Sequence, residues 1–121
     1  MPETMTGAEY DAREWLSMTE AEFLARVIHE AQERGWLVFH ARPARTAQGY
    51  RTAVQGDGAG FPDLVMVRPP VVLVAELKSE KGRVGQAQKR WLEKLWDCRG
   101  AFLAVYVWRP SNREFILEVL Q

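Results

Sequence analysis

Two acids and one base in the middle of the chain have the types and spacing for phosphate chemistry. They are Asp63, Glu76 and Lys78. Asp63 opens an apolar, β-branched run, Asp63-Leu64-Val65-Met66-Val67-Arg68, and Glu76 and Lys78 end a second one, Val71 to Lys78. Pro69 and Pro70 lie between the runs and cannot donate to a ladder, so they belong in a turn. A two-residue turn there sets Arg68 opposite Val71 and therefore Asp63 opposite Glu76. Facing residues have Cβ atoms about 5 Å apart, and Lys78, two residues on, shares the face of Glu76. Two carboxylates that close repel unless a cation lies between them. Hard divalent ions such as Mg2+ or Mn2+ take such oxygen ligands. A lysine beside them can fix an attacking water or stabilise negative charge on a phosphate. The bland alternative is a frayed strand end with Glu76 and Lys78 in solvent, and a one-residue slip in register would separate the acids.

A helix before the strands and another after them must complete the arrangement. Thr19-Glu20-Ala21-Glu22 reads as a capping box, with Thr19 as N-cap and Glu22 at the third helical position. The helix runs to about Arg34, where Gly35 ends it. Its apolar stripe is Phe23, Leu24, Val27, Ile28 and Ala31. Glu20 falls on that stripe and Glu22 on the wet side with Arg26 and His29, so Glu20 is the candidate site glutamate. Trp36 to Ala41 reads as a strand ending at His40, a candidate for hydrogen bonding to a phosphate or for a structural role. A second helix, from about Gly85 to Cys98, carries an inward stripe of Val84, Ala87, Gln88, Trp91, Leu92 and Leu95. Gln88 is its polar exception, and a buried amide needs partners. Trp91 and Trp96 read as core residues rather than stacking platforms.

Residues 42–60 form a long connection rich in arginine and glycine; loops of that length tend to be functional or disordered, which leaves a DNA-contacting loop and a solvated surface loop both open. Arg42, Arg45 and Arg51 are its candidate DNA contacts, joined by Lys81 and Arg83 in the basic turn after Lys78. Gly56 to Gly60 does not form a phosphate-cradling motif, since no helix follows it. Ala101 to Trp108 is a further apolar strand; Pro110-Ser111-Asn112 is a turn, and Arg113 to Leu120 a terminal helix or strand.

The 121 residues suit one domain of ordinary globular composition, 47% hydrophobic and 26% charged. Formal net charge is zero, which by itself argues against a nucleic-acid binder. The distribution is uneven, however. Acids dominate residues 1–33, while residues 34–55 hold four arginines and no acid. Such polarity predicts a basic face for phosphates and an acidic back. The single cysteine, Cys98, excludes internal disulfides and cysteine-built zinc clusters and suits a reducing, cytoplasmic setting. No signal peptide or membrane-spanning run is evident.

Gly60-Phe61-Pro62-Asp63, twelve residues, then Glu76-Leu77-Lys78 resembles the PD-(D/E)XK nuclease signature. With Thr19-Glu20, Gly35-Trp36, His40, Ser79-Glu80-Lys81-Gly82 and Gln88 with Trp91, it is similar to the virus-type replication-repair nuclease domain, VRR-NUC, over roughly residues 18–110. The resemblance implies an α/β fold: a restriction-endonuclease-like mixed central sheet flanked by helices, in the order αβββαβ, over residues 18–121, with residues 1–17 as an arm or short helix. It implies a divalent ion held by Asp63, Glu76 and the Leu77 carbonyl, Glu20 joining through water, and Gln88 supporting the site. It also implies cleavage of DNA, selective for branched forms such as four-way junctions, by a homodimer; Trp15, the terminal strand and the region of Trp108 are candidate dimer contacts. The rivals are a non-catalytic DNA-binding or interaction module with the same fold and a nuclease acting on linear duplex.

Overall fold

Thr19 sets the first layer. In the computed structural model its hydroxyl accepts the Glu22 N–H while the Glu22 carboxylate takes the Thr19 N–H, the reciprocal cap expected from the sequence. The structure describes residues 6–41, 44–46, 49–51 and 55–121, with the backbone alone for 44–46 and 49–51. The helix that follows, α2 (Glu20–Glu33), buries Phe23, Val27 and Ala31 and half-buries Leu24 and Ile28. It is preceded by α1 (Gly7–Leu16). Gly35, at φ +85°, turns the chain out of α2 in a conformation that side chains with a Cβ rarely adopt.

Among the described residues six strands follow: β1 (Leu37–His40), β2 (Ala44–Thr46), β3 (Gly49–Arg51), β4 (Leu64–Arg68), β5 (Val71–Leu77) and β6 (Leu103–Trp108). Helix α3 (Gln86–Asp97) joins β5 to β6, and α4 (Arg113–Leu120) ends the chain after a short 3-10 turn, Pro110–Asn112. The main sheet has the order β1-β4-β5-β6; β4 is antiparallel to both β1 and β5, and β6 is parallel to β5. The parallel pair requires a crossover, and α3 supplies it. The result is the helix-flanked mixed sheet expected from the sequence. Among the described residues no helix is long and apolar enough to cross a membrane.

One face of the sheet carries the core. Leu64, Met66, Leu73, Ala75 and Leu77 cluster with α2, with Ile116 and Leu120 of α4, and with Trp15. Trp15 is 2% exposed, so it is not the surface contact expected of it; α1 joins the core through Trp15, packed edge-on against Phe23, and Trp108 is itself buried at 1% exposed.

The second face departs from expectation. The sequence predicts a helix over it, yet no residue of α3 is buried. The helix rides over β6 and leaves the β1 edge open: Leu37 is 76% and Phe39 62% exposed. Trp96, expected in the core, is half exposed, with the Arg99 guanidinium stacked 3.9 Å from its ring centre. A single helix about 10 Å wide cannot cover four strands spaced about 4.8 Å apart.

The connection 42–60 also holds more order than expected. β2 and β3 pair antiparallel within it, Ala44 opposite Arg51 and Arg45 opposite Tyr50. Strands of three residues are too short for a period of two to register in the sequence.

Candidate active site

β4 and β5 pair in the anticipated register, from Leu64 opposite Ala75 to Arg68 opposite Val71. Leu64 and Ala75 point into the core, so the next pair, Asp63 and Glu76, turns to the opposite face. The next step would bring Leu77 opposite Pro62. Instead the Leu77 N–H donates to Asp63 Oδ2, 2.8 Å away. The carboxylate thus caps the strand end and is fixed by it. The Leu77 side chain is buried in the core, so only its backbone can face the site.

Glu76 is 1% exposed, the one buried polar or charged side chain among the described residues. Its Oε2 finds no hydrogen-bond partner among them. Burial, first, and then the Asp63 carboxyl within hydrogen-bonding reach push its pKa up to about 9. The charge of Glu20 adds to this and that of Lys78 opposes it, so all four groups meet electrostatically at Glu76. Glu20 itself is exposed at the first position of α2. Among the described residues no three His, Cys, Asp or Glu side chains gather tightly enough to hold a metal unaided. The arrangement is therefore two adjacent carboxylates, with Glu20 acting at longer range. A buried carboxylate oxygen without a partner, beside a second carboxylate, is a donor set that suits a hard divalent ion.

His40 is tied to the same strand end. Its Nδ1 lies 2.8 Å from the Asp63 carbonyl, and since a carbonyl only accepts, Nδ1 carries the hydrogen. The ring therefore braces the backbone that presents Asp63. Gln88 Oε1 accepts the Gly85 N–H at 2.8 Å, capping α3, and the side chain is half-buried rather than enclosed. Lys78 is half-buried; Lys81 and Arg83 are exposed just beyond it. Arg42 lies outside the described residues. Arg45 and Arg51 are described by backbone only, on the facing strands β2 and β3.

Two features had no sequence signal. Gly60, at φ +83°, presses on α3: a Cβ there would meet the Ala87 backbone carbon at 2.5 Å. Phe61 packs edge-on against Trp91, whose Nε1 donates to the Asp57 carbonyl at 2.8 Å. The glycine sets how the segment leading into Asp63 sits on α3. Gly60→Ala should therefore destabilise the protein by about 2 kcal/mol or more, through both the contact and the backbone angle. Denaturant unfolding measures this; a loss below about 0.5 kcal/mol (about a tenth of a typical domain's stability) would refute the close packing.

The family model described as the VRR-NUC domain matches residues 8–109 of the 121. The chain belongs to the VRR-NUC family. Its membership implies a nuclease-type domain. The VRR-NUC match takes in nearly all of α1 as well as Asp63 and the strand bearing Glu76. No match among curated proteins was found.

Proposed function

We propose that this VRR-NUC domain is a metal-dependent endonuclease that hydrolyses phosphodiesters in DNA. The observation that carries the reading is the pairing of Asp63 with Glu76, whose Oε2 is buried and without a partner among the described residues. Asp63, Glu76 and the Leu77 carbonyl would hold Mg2+ or Mn2+, with Glu20 joining through water. The ion would supply Lewis-acid charge to the phosphate and lower the pKa of a water near it. Lys78 orients the attacking water and stabilises charge that develops on the phosphoryl oxygens. His40 and the Leu77 N–H hold Asp63 in place so that little reorganisation accompanies reaction. Lys81, Arg83 and the arginines of 42–51 neutralise the DNA backbone.

Branched DNA, including four-way junctions, is the proposed substrate and a homodimer the proposed working form. Symmetric cuts in two strands need two sites about a twofold axis. The open apolar face around Leu37 and Phe39 is compatible with burial in such an assembly.

The test is cleavage of linear, flapped and four-way DNA with Mg2+, Mn2+ or EDTA. Cutting of junctions in preference to linear duplex, stopped by EDTA, is the expected outcome. Cleavage undiminished by EDTA would reject the metal requirement, and binding without cutting in either metal would favour a non-catalytic module. Within the site, Glu20→Gln should slow cleavage about tenfold or more, while Glu22→Gln, which keeps an acceptor for the Thr19 N–H, should stay within about twofold. The reverse ranking would move the functional glutamate to position 22.

A further inference from the structure

The segment that follows Lys78 is held by a residue that the site described so far does not include. The parallel register sets Glu76 beside Val107 and Leu77 beside Trp108. The Lys78 N–H continues it, donating to the Trp108 carbonyl at 3.0 Å. Lys78 and Arg109 are therefore next neighbours across the end of the β5–β6 pair.

Arg109 does not point away from this end. One guanidinium nitrogen, Nη1, donates to the carbonyls of Ser79 at 2.6 Å and Gly82 at 2.7 Å, with Glu80 at 3.3 Å. The Arg109 N–H is held in turn by Asn112 Oδ1 at 2.8 Å, and Glu80 Oε1 accepts the Ser111 N–H. The turn closes on itself through Gly82 N–H to the Ser79 carbonyl, 3.1 Å. A Cβ on Gly82 would stand 2.9 Å from Ser79 Oγ, so the turn is packed tightly as well as bonded. Three carbonyls converging on one cation form a charge-assisted clamp, stronger than neutral hydrogen bonds and directional. Exposed turns otherwise sample many conformations, and ordering one costs conformational entropy that such a clamp offsets.

We propose that Arg109 is a positioning residue for the reaction: by clamping the Ser79–Gly82 turn it fixes the direction in which the chain leaves Lys78. This sets the Lys78 ammonium against the scissile phosphate and aims Lys81 and Arg83 along the DNA backbone. The inference rests on the nuclease reading for its catalytic consequence, while the clamp itself can be measured without DNA.

The experiment compares wild type, Arg109→Ala and Arg109→Lys in two measurements: single-turnover cleavage across DNA concentrations with Mn2+, and amide hydrogen exchange of the protein alone. Arg109→Ala should lower the maximal rate about 10- to 100-fold and leave half-saturating DNA within about threefold. Exchange in 79–83 should accelerate at least tenfold, with 64–68 unchanged. Arg109→Lys, which keeps the charge and one donor, should recover part of both losses, and it carries the test should the alanine variant fail to fold. A wild-type maximal rate in Arg109→Ala overturns the proposal. So does a loss confined to DNA affinity, which would make Arg109 a DNA contact. Absence of cleavage by the wild type with Mn2+ defeats the nuclease reading instead, while unchanged exchange in 79–83 defeats the clamp whatever the activity.

Discussion

Asp63→Asn and Glu76→Gln are each expected to lower DNA cleavage by at least about 10³-fold while leaving the fold intact. The amides are the informative substitutions. An amide at position 63 retains an oxygen for the Leu77 N–H, which Asp63 Oδ2 now accepts at 2.8 Å. Alanine would leave that N–H without its partner and mix a folding cost of about 1–3 kcal/mol into the result. An amide at position 76 likewise keeps the volume that fills the buried place of Glu76. What both amides remove is the negative charge for which a divalent ion would compete. Lys78→Ala should cost less, about 10²-fold, because a lysine assists charge development without holding the ion. Single-turnover rates with Mn2+, beside circular dichroism to verify folding, measure all three. Activity near wild type for either amide would remove that residue from the site.

In the absence of divalent ions the protein should lose stability as pH rises, and Glu76→Gln should abolish most of that loss. Burial and the neighbouring Asp63 raise the Glu76 pKa from the ordinary 4.5 to about 9. Between these values the folded chain keeps a proton at Glu76 that the unfolded chain releases. The folded state therefore binds more protons, and stability falls with increasing pH across the window. The Glu76 contribution is greatest below about pH 4.5, where both states are protonated, and is fully lost above about pH 9. The slope is at most about 1.4 kcal/mol per pH unit, so from about pH 6 to 8 the loss is roughly 1–3 kcal/mol. Thermal unfolding in EDTA should show a decline of several degrees over this range in the wild type and a nearly flat profile in Glu76→Gln. Lys78 opposes the shift and Glu20 reinforces it, so Glu20→Gln should shallow the slope. Adding Mn2+ at about pH 8 should restore the wild type, since an ion bound only by the folded state stabilises it, and leave Glu76→Gln largely unmoved. A wild-type profile that rises with pH in EDTA would contradict the buried, protonated Glu76.

The pairing of the two carboxylates was legible because the sequence punctuates it. Pro69-Pro70 fixes where the chain turns, and the unbroken apolar runs on either side leave one sensible register. The cap of α2 was legible for a similar reason, since Thr19 and Glu22 are a local pair with a defined spacing. Arg109 was not legible. Its partners are carbonyls, which every residue has, so no side-chain pattern announces them. The exposure of Phe39 and Trp96 was hidden for another reason. Periodicity reports that a side chain is apolar, but whether one helix is wide enough to cover it depends on the finished sheet. The burial of Trp15 was hidden because a lone tryptophan in an acidic, irregular stretch offers no stripe to read; it is decided by α2 and α4 arriving from elsewhere in the chain.

β5 is hydrogen-bonded on both sides, antiparallel to β4 and parallel to β6, and it carries Glu76 and the approach to Lys78. Amides so placed open only when the whole domain does. Glu76 therefore sits in the last part of the protein to come apart, and mild denaturant should not produce a folded but inactive intermediate through local melting of this strand. Turnover and far-UV ellipticity should decline together along one curve.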